Sequence, residues 1–228
     1  CVPTPDIGHP PVVEVTNESS LTAARRLADI GPVAVLTFAS ARNPGGGYLN
    51  GAQAQEEALC RDSALYTTLL RVPEFYAHHR RERSAFYSDR VIHSPTVPVI
   101  RDARGTLLEI PCTTGFLTSA APNAGVIRQR NPDRAHEIPA ALAARAERVL
   151  EVAAACGYRR LVLGAWGCGV FRNDPTEVAG AFHRLLTDAG RFARHFEHVV
   201  FGIMHRPAES AILAAFTERF ACQLRTEP

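Results

Sequence analysis

Three short, largely apolar runs constrain the fold of this chain more than any other feature of its sequence. They are VAVLTFAS (33–40), LVLGAW (161–166) and HVVFGIM (198–204). Such runs are typical of strands in a sheet that is covered on both faces. Helical segments separate them, and the clearest extends from Pro139 near its first turn to Gly157 at its end. Strands that alternate with helices predict one three-layer α/β domain.

The other elements follow from composition and from helix-breaking residues. We expect further strands at 11–16, 90–101, 107–111 and 114–122. Further helices are expected at 19–31, 52–70, 176–190 and 207–221. Two polar segments give weaker signals: 73–90 is interpreted as helix or loop, and 123–139 as an exposed loop. We expect residues 1–228 to form a single domain, with a flexible N-terminal segment at 1–10.

Composition and charge argue against several classes of protein. Apolar residues make up 46% of the chain and charged residues 21%, which argues against disorder. A formal net charge of +2 does not indicate a DNA-binding surface, so we expect no sequence-specific nucleic-acid binding. No apolar run approaches the roughly 20 residues that span a bilayer. The first residues also differ from a signal peptide, so we expect no membrane partner.

The cysteines and histidines do not predict a metal site. Six cysteines are scattered along the chain, without a CxxC pair and without histidine at the spacing of metal ligands. Such cysteines are typical of buried thiols in a reducing compartment, so we expect a cytoplasmic protein. His78, His79 and His93 have no carboxylate or cysteine at a useful spacing, and we interpret them as solvated or structural.

A glycine-rich turn directly follows the apolar run 33–40 and leads into a helix. Gly45, Gly46 and Gly47 offer backbone N–H groups without a Cβ atom, so a ligand could approach the main chain closely. The helix start after the turn favours anions. An ordinary flexible turn would have the same composition, and the spacing matches neither the dinucleotide fingerprint nor the Walker loop.

A second glycine-rich loop, GAWGCGVFRNDP at 164–175, follows the apolar run 161–166 and precedes another helix. Its N–H groups could bind a phosphate while Phe171 packs on a sugar or a base. The alternative is a strand–helix turn with a core phenylalanine. Ligands of open α/β sheets bind beyond the carboxyl ends of the strands, where such loops converge. The two loops together therefore favour a diphosphate-bearing ligand between them.

Two adjacent glutamates, Glu56 and Glu57, lie near the start of the helix that follows the triple glycine. Adjacent helical residues point about 100° apart, so one could face a ligand while the other reaches its edge. A general acid requires a raised pKa, which comes from burial or from a nearby anion such as a substrate diphosphate. Ordinary helix N-terminal charge is the alternative interpretation.

These motifs together resemble the signature of the poly(ADP-ribose) glycohydrolases. The signature is a triple glycine followed, seven residues later, by Gln-Glu-Glu, here Gly45–Gly47 and Gln55–Glu57. Three segments are similar to the shorter, microbial branch of the family: 39–66, 120–123 (AAPN) and 164–175. The likeness extends from about residue 11 to about residue 205.

The resemblance implies a macrodomain fold, with a mixed sheet between helices, and a role for each site residue. Glu57 would be the catalytic acid, and Glu56 would bind the ribose hydroxyls beside the scissile bond. Asn43 would hold the same ribose, Phe171 would pack near it, and the two loops would bind the diphosphate. The substrate-binding residues implied in this way are Asn43, Gly45, Gly46, Gly47, Gln55, Gly167, Cys168, Gly169, Val170 and Phe171.

The resemblance also implies the reaction and the partners. The chain would hydrolyse the ribose–ribose O-glycosidic bonds of poly(ADP-ribose) and release ADP-ribose, without a metal or another cofactor. Its partners would be poly(ADP-ribose), ADP-ribose and ADP-ribosylated proteins. It lacks the large accessory region of animal members, so we expect it to act mainly at chain ends.

Two other functions share these motifs. A macrodomain that only binds ADP-ribose needs the two loops but not the glutamate pair, so Glu56 and Glu57 favour catalysis. A hydrolase of mono(ADP-ribosyl) groups on protein or nucleic acid would share the fold and the acid chemistry. A scaffold protein would leave the convergence of the two loops and the glutamates unexplained.

Four further features carry weaker expectations. Tyr48 could cover a ribose or simply pack. Cys168 is interpreted as a packing residue rather than a nucleophile, because no histidine lies near it in sequence. The run HHRRER (78–83) could attract a polyanion, although a solvated helix face is the simpler interpretation. Segment 14–17 is placed near the adenine by fold analogy alone.

Overall fold

A mixed sheet of six strands forms the middle layer within the residues that the structure describes. This computed structural model describes residues 6–187, 189–204 and 210–221. The strands are Val12–Thr16 (β1), Val33–Phe38 (β2), Ile92–Arg101 (β3), Leu107–Ser119 (β4), Arg160–Leu163 (β5) and His198–Gly202 (β6). Their order is β1-β6-β5-β2-β4-β3, and every neighbouring pair is parallel except β3 with β4.

Eight α-helices of the described chain cover the two faces of this sheet. They are Ser20–Ala28 (α1), Gln55–Asp62 (α2), Leu65–Leu69 (α3), Pro73–Glu82 (α4), Ala124–Arg130 (α5), Ile138–Ala155 (α6), Pro175–Leu186 (α7) and Ser210–Phe220 (α8). Helices α1–α4 pack on one face and α5–α8 on the other.

Side chains along β2 alternate between the two cores. Val33 and Val35 contact the α1–α4 core, whereas Ala34 and Leu36 contact the α5–α8 core. Each fully buried Val or Leu contributes roughly 1.5–3 kcal/mol, so both faces of the sheet must be covered. This is the three-layer arrangement that the apolar runs predict.

The segment 123–139 was expected to be an exposed loop, and that prediction is wrong. Helix α5 begins after Asn123, whose side chain accepts a backbone hydrogen bond at 3.1 Å. A 3-10 helix, Pro132–Glu137, follows it. Only Ala124 and Ile127 of α5 are buried, so its apolar pattern is too short to recognise in the sequence.

The helix predicted at 52–70 is interrupted where the chain pairs with β3. Ser63 has extended backbone, with φ −144° and ψ 175°, and forms an antiparallel bridge with Val99. The N–H of Ala64 donates to the carbonyl of Pro98 at 2.9 Å. The chain therefore leaves α2, covers the outer edge of β3 and re-enters a helix as α3.

Segments with weaker sequence signals are placed as follows. Residues 73–90 contain both of the expected structures, α4 and a loop after it. Of the N-terminal segment 1–10, residues 1–5 lie outside the described residues. The N–H of Ile7 donates to the carbonyl of Arg194 at 2.9 Å, and Arg194 Nη2 donates to the carbonyl of Gly8 at 2.8 Å. None of the described helices is long and apolar enough to cross a membrane.

A crevice forms at one edge of the sheet between β2 and β5. Because β1, β6, β5, β2 and β4 are parallel, their carboxyl ends meet at this edge. The chain leaves β2 towards α2 on one face and leaves β5 towards α7 on the other. Such a point is where open α/β sheets bind ligands, and the two glycine-rich loops lie on its two sides.

Candidate active site

The triple-glycine turn after β2 packs directly against α2. Gly45 and Gly46 have φ values of +68° and +60°, a left-handed conformation that glycine adopts without a Cβ penalty. The turn closes through the N–H of Gly46, which donates to the carbonyl of Asn43 at 3.0 Å. A Cβ atom on Gly46 would lie 3.0 Å from Glu56 Oε2 and closer still to Glu57 Oε1. Glycine is needed here because the carboxyl groups lie on the backbone.

Glu57 has one carboxylate oxygen bonded to the protein and one without a partner. Its Oε1 accepts a hydrogen bond from the N–H of Gly47 at 2.8 Å. Its Oε2 is buried and has no hydrogen-bond partner among the described residues, although the side chain remains 8% exposed. Leaving a buried acceptor unpaired costs roughly 1–3 kcal/mol, so Oε2 is the atom that a ligand would be expected to engage.

Glu56 lies deeper, with 2% exposure, and reaches the same turn as Glu57. Its Oε2 accepts a hydrogen bond from the N–H of Ser40 at 2.6 Å, and its buried Oε1 has no partner among the described residues. Burial raises the pKa of the Glu56 carboxyl to about 8; the hydrogen bond from Ser40 opposes this rise and the charge of Glu57 adds to it. The raised pKa favours the protonated form of Glu56 at neutral pH.

Two of the three backbone N–H groups of the triple glycine are used within the protein. Gly46 bonds inside the turn, and Gly47 donates to Glu57. The turn therefore holds the two carboxyl groups, and these donors are not free to bind a diphosphate. The sequence did not distinguish a turn that holds the glutamates from one that binds a diphosphate, because both require glycine.

Gln55 connects α2 to β2. Its Oε1 accepts from the N–H of Phe38 at 2.9 Å, and its Nε2 donates to the carbonyl of Leu36 at 2.9 Å and to Ser20 Oγ at 3.1 Å. Its amide is thus bonded to the protein, although Gln55 also lies in the wall of a cavity. These bonds favour a positioning role, and direct contact with a substrate stays a prediction.

The second loop has free backbone donors on residues that line the cavity. Among the described residues, the N–H groups of Gly169, Val170 and Phe171 have no hydrogen-bond partner. Gly169 and Val170 are exposed and Phe171 is half-buried. Burial raises the pKa of the Cys168 thiol to about 12, which supports packing rather than nucleophilic chemistry at that residue. This loop is the better candidate to bind a diphosphate.

Asn173 anchors the second loop to the end of β4. Its side chain is 3% exposed, and its Nδ2 donates to the carbonyls of Pro122 at 2.8 Å and Gly167 at 3.1 Å. Gly167 has φ +74°, and a Cβ atom there would lie 2.5 Å from Asn173 Nδ2 and 2.6 Å from the Cβ of Ala121. The loop is therefore fixed in a conformation that only glycine allows.

A cavity of about 230 Å³ opens beside these loops. Its wall includes Phe38, Gln55, residues 165–171, Ile203, Met204 and Ile212. Glu56, Glu57, Asn43 and the triple glycine are not part of this wall; they form a turn next to it, joined through Phe38–Ser40. Segment 14–17 does not line the cavity either, so its role near the adenine stays a prediction. Within the described residues no cluster of His, Cys, Asp or Glu could hold a metal ion.

Comparisons with known proteins identify relatives of this arrangement. A family model for the catalytic domain of microbial-type PARG matches residues 3–102. The crystal structure of poly(ADP-ribose) glycohydrolase from Thermomonospora curvata is 52% identical, with a TM-score of 0.90, and the match covers 95% of this chain and 78% of that one. This chain belongs to the poly(ADP-ribose) glycohydrolase family.

Other solved members of the poly(ADP-ribose) glycohydrolase family agree with this assignment. The enzyme from T. curvata bound to the inhibitor ADP-HPD is 53% identical over 91% of this chain and 78% of its own, with a TM-score of 0.87. The Deinococcus radiodurans enzyme in complex with ADP-ribose is 46% identical over 92% of this chain and 84% of its own, with a TM-score of 0.88. A comparison with curated proteins gave no match. The resemblance and the macrodomain-like fold predicted from the sequence are confirmed.

Tyr87 is a feature of this glycohydrolase site that sequence reasoning missed. Its ring lies 5.9 Å from the ring of Phe171 and packs against Ala39, Ala41 and Ala120. Its φ of +59° is unusual for an aromatic residue. Tyr87 lies in the segment 73–90, which has no periodic pattern, and a positive φ leaves no trace in the sequence of a residue other than glycine.

Proposed function

We propose that this chain hydrolyses the ribose–ribose O-glycosidic bonds of poly(ADP-ribose) to release ADP-ribose, with Glu57 as general acid and base. Relatives at 46–53% identity are named glycohydrolases of this polymer, and their complexes contain ADP-ribose or ADP-HPD. The observation that carries the proposal is the geometry of Glu57. One of its oxygens is held by Gly47, and the other is buried and unpartnered, on the helix whose Gln55 lines the cavity.

In the proposed reaction Glu57 Oε2 donates a proton to the departing ribose oxygen while positive charge develops at the anomeric carbon. The carboxylate then accepts a proton from the attacking water. Glu56 binds the ribose hydroxyls beside the scissile bond, and in its protonated form it can donate as well as accept a hydrogen bond. Asn43, exposed at the same turn, is available to the same ribose.

The diphosphate is proposed to bind mainly at the second loop. The free N–H groups of Gly169, Val170 and Phe171 support this assignment. Glycosidases commonly use two separated carboxylates, one of which is the nucleophile in retaining enzymes. Here both carboxyl groups lie on one turn, so the nearby diphosphate is proposed to stabilise the developing cation instead. This leaves Gly46 and Gly47 with the task of positioning the glutamates, and a diphosphate contact of Gly45 stays a prediction.

Substitution of Glu57 by Gln tests the proposal. We expect Glu57→Gln to lower the release of ADP-ribose from purified poly(ADP-ribose) by roughly 10²–10⁴-fold, since the amide cannot transfer the proton. Calorimetric affinity for ADP-ribose should change little. Glu74→Gln, an exposed glutamate in the first turn of α4, is the matched control and should keep full activity. Near-normal turnover by Glu57→Gln would reject the assignment.

The same assay separates the alternative functions. A wild-type protein that binds ADP-ribose but releases none from polymer would be a reader. One that releases ADP-ribose only from mono(ADP-ribosyl)ated protein or nucleic acid would be a mono(ADP-ribosyl) hydrolase. Preference for chain ends, ADP-ribosylated protein partners and a cytoplasmic location also stay predictions. Equal rates at free ends and at internal linkages would contradict the first of them.

A further inference from the structure

Three exposed arginines, Arg42, Arg80 and Arg83, lie together beside the triple-glycine turn, and we call them the arginine rim. Arg80 Nη1 donates to the carbonyl of Arg42 at 2.6 Å, and Arg42 Nη2 donates to the carbonyl of Arg83 at 3.1 Å. Within the described chain none of the three forms an ion pair, and the nearby Glu82 is paired with Arg81 at 3.6 Å. The rim therefore carries an uncompensated positive charge.

The arginine rim is attached to the parts of the site that would hold the reacting ribose. Arg42 lies between Ser40, whose N–H bonds Glu56, and Asn43. Its guanidinium carbon is 6.0 Å from the centre of the Tyr87 ring, which contacts Phe171 in turn. Tyr87 thus joins the rim to the second loop, and its ring attracts the Arg42 guanidinium through a cation–π contact.

The arginine rim and most of the cavity wall are carried by different strand ends. The cavity is lined mainly by residues that follow β6, β5 and β2, with Ala121 from the loop after β4. The segment that carries Tyr87 continues from the end of α4 and is bonded to the loop after β4, through the N–H of Asn123 and the carbonyl of Ala85 at 2.8 Å. Most of the cavity wall therefore lies on the β6–β5 side of β2, whereas the segment that joins the rim lies on the β4 side.

We infer that the arginine rim binds the diphosphate of the ADP-ribose unit on the leaving side of the scissile bond. This inference rests on the proposed function. A polymer of ADP-ribose has one diphosphate in every unit. If the unit to be released has its diphosphate at the second loop, the next diphosphate lies beyond Glu57, on the side of the rim. Guanidinium groups bind phosphate oxygens in a bidentate manner, which lysine cannot do.

The test compares two triple variants on two substrates. The rim variant carries Arg42→Gln, Arg80→Gln and Arg83→Gln. The control carries Arg25→Gln, Arg71→Gln and Arg104→Gln, which are exposed arginines elsewhere and give the same change of net charge. One substrate is a poly(ADP-ribose) oligomer, and the other is ADP-ribose joined through the same anomeric carbon to an uncharged aglycone.

We expect the rim variant to lose about tenfold in kcat/KM on the oligomer, mainly through KM, as expected for loss of about 1.4 kcal/mol of phosphate binding. Its rate should also depend less steeply on salt. The uncharged substrate should be cleaved at the wild-type rate, and the control variant should match wild type on both. An equal loss on both substrates, or no loss on the oligomer, would overturn the inference.

The single variant Arg83→Gln controls for the possibility that the triple variant disturbs the backbone of the triple-glycine turn. Arg42 and Arg80 also bond backbone carbonyls, whereas the Arg83 guanidinium makes no hydrogen bond to the described residues. We expect this single variant to weaken oligomer cleavage a few-fold and leave the uncharged substrate unchanged; unchanged oligomer cleavage would count against the rim. A wild-type protein without activity on either substrate would instead reject the proposed function.

Discussion

Gly46 touches both candidate catalytic carboxyl groups, and this makes it a sensitive test of their placement. We expect Gly46→Ala to fold but to lose at least about 10²-fold in ADP-ribose release, because its Cβ must displace Glu57 and small misplacements of catalytic groups are costly. Gly51→Ala is the matched control. Gly51 also has positive φ, at +75°, but a Cβ there meets nothing within 4 Å.

The control should show backbone strain alone, of roughly 1–2 kcal/mol, and activity near that of wild type. Thermal denaturation measures the strain in both variants, and release of ADP-ribose measures the site. Equal activity of Gly46→Ala and Gly51→Ala would mean that the turn does not position Glu57.

The protonation of Glu56 makes the stability of the fold depend on pH. The pKa of this carboxyl is raised by burial from 4.5 to about 8, so the folded protein binds the proton more tightly than the unfolded chain. The resulting stabilisation is fully present below pH 4.5 and is lost as the pH rises through about 8. Each tenfold difference in proton affinity between the folded and unfolded states corresponds to about 1.4 kcal/mol.

Glu56→Gln should remove this dependence, since its amide oxygen can still accept from Ser40 and carries no proton to lose. We expect urea titrations at pH values from below 4.5 to above 8 to show a fall of several kcal/mol in wild type and a much smaller fall in the variant. Parallel curves for the two proteins would contradict the raised pKa.

Sequence reasoning at this scale identified residues whose type limits their chemistry. Glu56 and Glu57 stand out because two carboxylates follow a glycine run, and the structure brings both to that turn. It could not show that two of the glycine donors are already bonded, since that depends on the tertiary position of α2. It missed Asn173 and Tyr87, because a buried amide and a left-handed aromatic residue have no local sequence signal.

Among the elements, the second loop depends on a single anchor, Asn173. We expect Asn173→Ala to lower the free energy of unfolding by roughly 1–3 kcal/mol, because a buried carbonyl at Pro122 and a partly buried one at Gly167 lose their donor. ADP-ribose affinity should fall about tenfold as the loop donors lose their fixed positions. Denaturant titration and calorimetry measure the two effects.

Asn131→Ala is the control for this element, because Asn131 is exposed and its side chain is not part of the loop. It should change stability by less than about 0.5 kcal/mol and leave the affinity unchanged. If Asn173→Ala destabilised the fold but bound ADP-ribose normally, the loop would not be the diphosphate site.

Helices and strands could be predicted from the sequence where burial alone determines them. The run 33–40 gave β2 because both of its faces are covered, and Pro139 and Gly157 gave the approximate limits of α6. The break of 52–70 was not predictable. It arises because Ser63 leaves the helix to pair with Val99, a partner distant in sequence.

For the whole molecule, the three layers could be predicted but the strand order could not. The alternation of apolar runs with helices requires a covered sheet, whatever its order. The crevice, in contrast, exists because β2 and β5 are neighbours, with Val33 paired to Arg160. That pairing joins residues far apart in the chain, so the convergence of the two loops was a hypothesis from the sequence and a geometric fact only in the structure.

The covered margin of β3 has a consequence for the behaviour of the protein at high concentration. An exposed edge strand has unpaired N–H and C=O groups with which a strand of a second chain can pair. Here Ser63 and Ala64 already occupy part of that ladder, two register shifts bend the strand, and prolines at 95 and 98 supply no donor. This edge of the sheet is therefore protected against strand-to-strand self-association. The crevice at the carboxyl ends of β2 and β5 remains open to a ligand.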